Sequence, residues 1–112
     1  MIVQLIHNPA SGTFDEARLD VLSRAFQECG AQVRLGRTEI DGRFEILPEC
    51  DLVCVSGGDG ALRLVVASMV RAGLSKPLCV FPAGTVNLVA KELGYSSDPE
   101  IFAREIMAGF LD

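Results

Sequence analysis

Three short segments of this sequence combine glycine with hydroxyl, amide or carboxylate side chains. Residues 8–12 read Asn-Pro-Ala-Ser-Gly, residues 57–60 read Gly-Gly-Asp-Gly, and residues 82–87 read Pro-Ala-Gly-Thr-Val-Asn. Glycine lets the backbone approach a phosphate closely, and a helix that begins at such a loop points free N–H groups at an anion. Each segment alone is also typical of an ordinary turn. Their combination favours a phosphate-binding site.

Several side chains in these segments suit a bound nucleotide, most simply ATP. Ser11 and Thr85 supply hydroxyl donors, while Asn8 and Asn87 can bond local backbone or the nucleotide. A carboxylate among phosphate-binding amides would repel the ligand unless a cation lies between them. We therefore interpret Asp59 as a ligand of Mg²⁺ or of its water shell.

The remaining charged candidates are weaker. His7 is the sequence's one histidine and follows a predicted strand, where a structural role is the commoner one. Arg63 falls in the first turn after the glycines, within reach of a phosphate. The other helix arginines, Arg18, Arg24 and Arg71, are interpreted as a solvated face.

The elements that position these segments follow from hydrophobic periodicity. Apolar runs predict strands at residues 1–6, 31–37, 51–56 and 76–81. Helical spacing predicts a helix from a capping box at Thr13 to Gly30, a second from about Gly60 to Gly73, a short one over 86–93, and a last one opened by Asp98. A short helix is also possible in the polar region through Gly42.

Regular alternation of strand and helix predicts an α/β fold, a doubly wound parallel sheet with helices on both faces and so three layers. Ligands of such sheets bind outside the carboxyl ends of the strands. The three glycine-bearing segments, together with Thr38 after the second strand, all fall at that edge. We expect them to surround one site.

Composition narrows the class of protein. The 112 residues suit a single domain, and 49% hydrophobic with 22% charged residues is ordinary for a compact soluble protein. A net charge of −5 argues against nucleic-acid binding and against a basic membrane patch. No apolar run approaches the roughly 20 residues of a membrane helix, and no signal peptide is evident. We expect a cytoplasmic protein.

Four cysteines, Cys29, Cys50, Cys54 and Cys79, have no spacing typical of a disulfide framework. We interpret them as reduced core residues. A zinc site at Cys50 and Cys54 is a weak alternative, because no second pair accompanies them.

These motifs, in their order and spacing, resemble the catalytic domain of the diacylglycerol kinase family, which includes bacterial lipid kinases and sphingosine and ceramide kinases. The resemblance covers residues 1–94. It implies the fold of an N-terminal domain like that of phosphofructokinase and NAD kinase, with ATP and Mg²⁺ as cofactors and Asp59 near the phosphates. The nucleotide-binding residues that it implies are Asn8, Pro9, Ala10, Ser11, Gly12, Thr38, Gly57, Gly58, Asp59, Gly60, Ala61, Leu62, Arg63, Gly84, Thr85 and Asn87.

Departures from the family pattern qualify the expected activity. Ala61 stands where the family usually has threonine, and Ala10 and Thr13 stand where many members carry Lys or Arg. The resemblance also implies a following β-rich domain that supplies the lipid pocket and the catalytic base. We find no base in residues 1–112, so we assign no catalytic residue and expect negligible turnover by this chain alone.

The function that follows is the ATP-binding lobe of a lipid kinase, which transfers the γ-phosphoryl group to a lipid hydroxyl. Two alternatives stay open. One is an NAD kinase-like domain, and the other is a non-catalytic module that binds nucleotide or forms a homo-oligomer through apolar surface.

Overall fold

Four strands and three helices make up the described part of the computed structural model, which comprises residues 1–7, 16–37, 46–57, 59–82 and 98–111. In chain order they are β1 (Ile2–His7), α1 (Glu16–Glu28), β2 (Gln32–Arg37), β3 (Leu52–Gly57), α2 (Asp59–Ala72), β4 (Leu78–Pro82) and α3 (Pro99–Leu111).

The four predicted strands are confirmed, with bounds that differ by one or two residues. The largest difference is at β4, which begins at Leu78 and not at Lys76. Pro77 lacks an N–H group, so it cannot donate to a sheet ladder, although its carbonyl accepts a bond from the Val53 N–H at 2.9 Å. The helix predicted over 86–93 and the possible short helix before Gly42 lie outside the described residues.

All strand pairs are parallel, and the strands are ordered β2-β1-β3-β4. β1 and β3 therefore lie in the centre, β2 and β4 at the sides. All six residues of β3 are buried, as expected of a strand with helices on both faces. The predicted doubly wound parallel α/β fold is confirmed.

Alternate residues of the strands supply two separate cores. On one face, which we call the α1/α3 face, strand residues such as Leu5, Cys54 and Phe81 pack against α1 and α3. On the opposite α2 face, Ile6, Val53 and Val55 pack in a second cluster that includes Val65 and Met69 of α2. The two-residue period of a strand separates these sets, and the helices complete three layers.

Two polar side chains, Gln4 in the core and Asp98 at a helix end, accept hydrogen bonds from backbone N–H groups. Gln4 is buried on the α2 face, where its Oε1 accepts a hydrogen bond from the Leu47 N–H at 2.9 Å. Asp98 caps α3 as predicted, since its Oδ1 accepts bonds from the N–H groups of Glu100 and Ile101 at 2.9 and 3.1 Å. In the described part of the chain, none of the helices has the length and apolarity needed to cross a bilayer.

The cysteines are free thiols, and three of the four are buried. Cys50 belongs to the α2 face and Cys54 to the α1/α3 face, so the alternative of a zinc site shared by these two is wrong. Cys54 lies opposite Cys79 on the neighbouring strand. Burial, and then a hydrogen bond with Cys79, raise the pKa of the Cys54 thiol. It is therefore a protonated core residue, as predicted.

Three phenylalanines hold the α1/α3 face together. The ring of Phe102 in α3 meets Phe81 of β4 at a centroid distance of 5.1 Å and Phe26 of α1 at 6.3 Å, both edge-on. All three side chains are fully buried. Phe102 thus joins both helices of this face to the sheet.

Replacing Phe102 with alanine should lower the free energy of unfolding by about 3–5 kcal/mol, because the cavity loses contacts with two aromatic rings. Equilibrium urea unfolding followed by circular dichroism measures the change. The adjacent Ile101→Ala is the control, since Ile101 is 41% exposed, and it should cost under about 1 kcal/mol. Equal losses in the two variants would contradict this account of the core.

Candidate functional site

The carboxyl ends of β1, β3 and β4 lie side by side. His7 is opposite Ser56, Ser56 is opposite Phe81, and Gly57 is opposite Pro82. Neighbouring strands are about 4.8 Å apart, so the ends of β1 and β4 are separated by roughly 10 Å. In the sequence, these three strands precede the three glycine-bearing segments. The ends of these strands meet at one edge of the sheet, which we call the carboxyl edge, as the sequence predicts.

The strand order makes a crevice between β1 and β3. From β1 the chain moves outward to β2 on one side, and it then returns to the other side of β1 to form β3. The connections after β1 and β3 therefore run to opposite faces of the sheet, as the positions of α1 and α2 show. Open parallel sheets bind ligands at such a topological switch point. His7 at the end of β1 and Gly57 at the end of β3 flank it.

Gly57 ends β3 in a conformation that favours glycine. Its φ is 156°, which L side chains rarely adopt, and an added Cβ would lie 3.5 Å from the Cβ of Ala61. Ala61 is itself buried in the α2-face core. The side chain of Ala61 therefore packs on the end of β3. The group through which residue 61 can bind an anion at the carboxyl edge is its backbone N–H.

Helix α2 begins at Asp59, immediately after the β3 turn. Its first N–H groups have no partners within the helix and carry partial positive charge. Leu62 packs partly against the α2-face core, whereas Arg63 is exposed in the first turns of the helix. Asp59 and Arg63 therefore belong to the helix terminus nearest the β1–β3 crevice.

Within the described ranges, no three His, Cys, Asp or Glu side chains gather as a metal centre. Mg²⁺ at kinase sites is commonly held by one or two carboxylates together with substrate phosphates and water. Asp59 is the one carboxylate among residues 57–63, and its role towards Mg²⁺ stays a prediction.

Arg18 is less exposed to solvent than the sequence predicts. Its guanidinium carbon is 5.4 Å from the centroid of the Phe81 ring, and its side chain is half-buried. The interpretation of Arg18 as part of a solvated helix face is therefore wrong, although Arg24 and Arg71 are exposed as predicted. The error arises because Phe81 is 63 positions away in the chain, and only folding brings it under α1.

The remaining predicted binding residues lie outside the described residues. They are Asn8, Pro9, Ala10, Ser11, Gly12, Thr38, Gly58, Gly84, Thr85 and Asn87. Gly60 lies in the first turn of α2. His7 is the last residue of β1 and pairs with both Arg37 and Ser56 across the sheet.

The fold and the edge define a parallel α/β domain with a ligand crevice at a topological switch point. A flavodoxin from Streptococcus pneumoniae TIGR4 shares this architecture, with a TM-score of 0.51, 14% identity, and coverage of 97% of this chain and 99% of the flavodoxin. A crystal structure of a diacylglycerol kinase from Bacillus anthracis str. Sterne is more similar. Its TM-score is 0.72 at 23% identity, over 96% of this chain and 43% of that one.

Sequence comparison agrees and is more specific. The family model for the diacylglycerol kinase catalytic domain matches residues 3–111. A diacylglycerol kinase from Bacillus subtilis (strain 168) is 31% identical over 99 residues, which cover 81% of this chain. One from Staphylococcus haemolyticus (strain JCSC1435) is 31% identical over 102 residues, or 85% of this chain. The chain belongs to the diacylglycerol kinase catalytic domain family.

The chain spans about a third of the length of these relatives. The matched part is 32% of the B. subtilis protein and 31% of the S. haemolyticus protein. The family match supports a kinase catalytic domain. The carboxyl ends of β1, β3 and β4 lie side by side, as the sequence predicts.

Replacing Gly57 with alanine should destabilise the fold by about 1–3 kcal/mol, because a side chain is strained at its φ of 156°. Urea unfolding measures the loss. Gly36→Ala in β2 is the matched control: an added Cβ there meets the nearest atom at an ordinary 3.5 Å, without a positive φ, and it should be neutral or stabilising by up to about 1 kcal/mol. Equal stability of both variants would contradict the assigned strain.

Proposed function

We propose that this chain is the ATP-binding part of a lipid kinase, in which the γ-phosphoryl group of ATP is transferred to a hydroxyl of diacylglycerol or of a similar lipid. The nucleotide binds at the carboxyl edge of the sheet, with its phosphates at the crevice between β1 and β3. ATP and lipid are substrates that the family implies, and transfer requires both.

The strand order is the observation that carries the proposal. It places the switch point between β1 and β3, which are the strands that precede the Asn-Pro-Ala-Ser-Gly and Gly-Gly-Asp-Gly segments. The third segment follows β4, the next strand along the edge. Three glycine-bearing segments at consecutive strand ends are a suitable source of the bare amides that a polyphosphate needs.

Phosphoryl transfer asks the protein mainly for positioning and charge stabilisation. In this proposal, the glycine segments and the start of α2 donate backbone N–H groups to phosphate oxygens. Ser11 and Thr85 add hydroxyl donors, and Arg63 adds a cation near the helix terminus. Mg²⁺, when bound with ATP, would be held by Asp59 and would neutralise phosphate charge.

The family match favours a lipid acceptor over the NAD acceptor of an NAD kinase. The relatives from B. subtilis and S. haemolyticus are both named diacylglycerol kinase. Because this chain covers about a third of each relative, we assign it the nucleotide site and place recognition of the lipid with the whole kinase.

A magnesium-dependent ATP titration tests the proposal. By calorimetry, the chain should bind ATP in the presence of Mg²⁺ and bind it more weakly in EDTA. Asp59→Asn should weaken Mg²⁺-dependent binding by about tenfold or more, equivalent to about 1.4 kcal/mol, because the amide is a poorer ligand for a hard cation. In EDTA the variant should bind at least as well as the wild type, since a repulsive charge has been removed.

The control is Asp20→Asn, an equal change at an exposed position of α1, which should leave both titrations unchanged. Circular dichroism of all three proteins checks folding. Wild-type chain that binds no ATP would overturn the proposed function. An Asp59→Asn chain with the Mg²⁺ response of the wild type would overturn only the role of Asp59.

A further inference from the structure

Charge is distributed unevenly along the chain. Residues 60–91 contain four basic side chains and no acidic one. The rest of the chain holds the other six Lys and Arg residues and all 15 Asp and Glu residues. The net charge of −5 therefore conceals a basic segment, which includes all of α2 after Asp59 and all of β4.

The solvent side of α2 combines two of these basic residues with apolar ones. Val66 and Val70 are 44% and 75% exposed, and Arg63, Ala67 and Arg71 are exposed as well. Residues three or four positions apart lie on the same side of a helix, so the two valines form one stripe and the other three residues form the stripe beside it. We call these five residues the outer α2 surface.

Packing on the other side of α2 fixes the direction in which this surface points. Ala61, Val65 and Met69 are buried in the α2-face core. Ser68 is buried too, and its Oγ accepts a hydrogen bond from the guanidinium of Arg71 at 3.1 Å. The helix therefore cannot rotate its valines inwards, and the Arg71 guanidinium is held along the helix at the surface.

An anionic lipid bilayer offers partners for both stripes in one plane. Apolar side chains enter the boundary between headgroups and acyl chains, and negatively charged headgroups attract the arginines. Helix α2 has 14 residues, a length of about 21 Å over which the stripes can lie flat on that plane.

A second copy of the chain suits this surface less well. Five residues are far fewer than the roughly 20–30 that each side of a stable protein interface uses. Two chains that each carry a net charge of −5 also repel one another.

We propose that the outer α2 surface docks this chain on an anionic lipid bilayer. The inference goes beyond the proposed function, which assigns the nucleotide site, and it does not use the glycine-bearing segments. The charge of the whole chain argues against such docking, whereas the local charge of α2 favours it. Docking is weak and reversible, because each basic residue near an anionic membrane strengthens binding only about fivefold.

The test is cosedimentation of the 112-residue chain with lipid vesicles. Wild-type chain should bind vesicles of equal parts phosphatidylcholine and phosphatidylglycerol, and it should bind phosphatidylcholine vesicles at least about fivefold more weakly. Arg71→Gln should weaken binding to the mixed vesicles about fivefold, and Val70→Gln roughly threefold to tenfold. Equal binding to both kinds of vesicle would overturn the proposal.

Matched controls come from α1. Arg24→Gln and Val21→Gln make the same changes at an exposed arginine and at a valine that is 40% exposed, and both should bind as the wild type does. Equal losses in the α1 and α2 variants would overturn the assignment to α2. Arg63 is left unchanged because it also belongs to the proposed nucleotide site. Circular dichroism should show the wild-type fold in all four variants, since each change is at an exposed side chain.

Salt dependence checks the electrostatic part. Added NaCl should weaken vesicle binding of the wild type more steeply than that of Arg71→Gln, because the variant has lost one charge that salt screens. Vesicle binding that does not respond to NaCl would overturn the role of the arginines, and with it the proposal.

Failure of this inference is distinguishable from failure of the proposed function. Wild-type chain that binds Mg²⁺–ATP but no anionic vesicles would overturn docking alone. Wild-type chain that binds the vesicles in the predicted way but no ATP would support docking and overturn the proposed function. A dimer in light scattering that Val70→Gln converts to a monomer, without vesicle binding by the wild type, would assign the surface to a second copy and overturn the proposal.

Discussion

The parallel pairing of β1 with β3 is the contact on which the rest of the structure depends. It joins residues about 50 positions apart, from Val3 opposite Leu52 to His7 opposite Ser56. Because the pairing is parallel, both carboxyl ends reach the same edge. Because it leaves β2 on one side and β4 on the other, it also creates the point at which successive connections diverge. The crevice is therefore a consequence of strand order and requires no special loop.

Burial of β3 explains why the sheet has helices on both faces. All six of its residues are buried, and a single layer of helices would leave half of them in water. The two faces are packed differently. The α1/α3 face has the aromatic contacts of Phe26, Phe81 and Phe102, and these contacts fix the end of β4. Packing on this face thus positions part of the carboxyl edge as well as stabilising the fold.

An acidic chain can bind a polyanion because the relevant charges are local. At physiological ionic strength the Debye length is about 8 Å, so distant carboxylates of the surface are largely screened. The first amides of α2 follow the end of β3 at the carboxyl edge, and the guanidinium of Arg18 lies over the ring of Phe81, one residue before the end of β4. A net charge of −5 argues against a nucleic-acid surface, for which many clustered cations are needed, but it is compatible with the binding of one nucleotide.

Local patterns in the sequence determined the positions of the strands and helices, and also the α/β fold class. Apolar runs followed by turn-forming or polar residues marked the four strands, and the cap at Asp98 marked the start of α3, because these signals act within a few residues. Alternation of strand and helix determined the parallel sheet, and with it the edge at which the strands that precede the glycine-bearing segments end. The strand order was decided only by tertiary structure, since pairing partners are chosen by packing across the whole domain. The environment of Arg18 was also decided by tertiary structure. Its position in α1 indicates a solvent-exposed face, and only folding brings the buried ring of Phe81 beneath it.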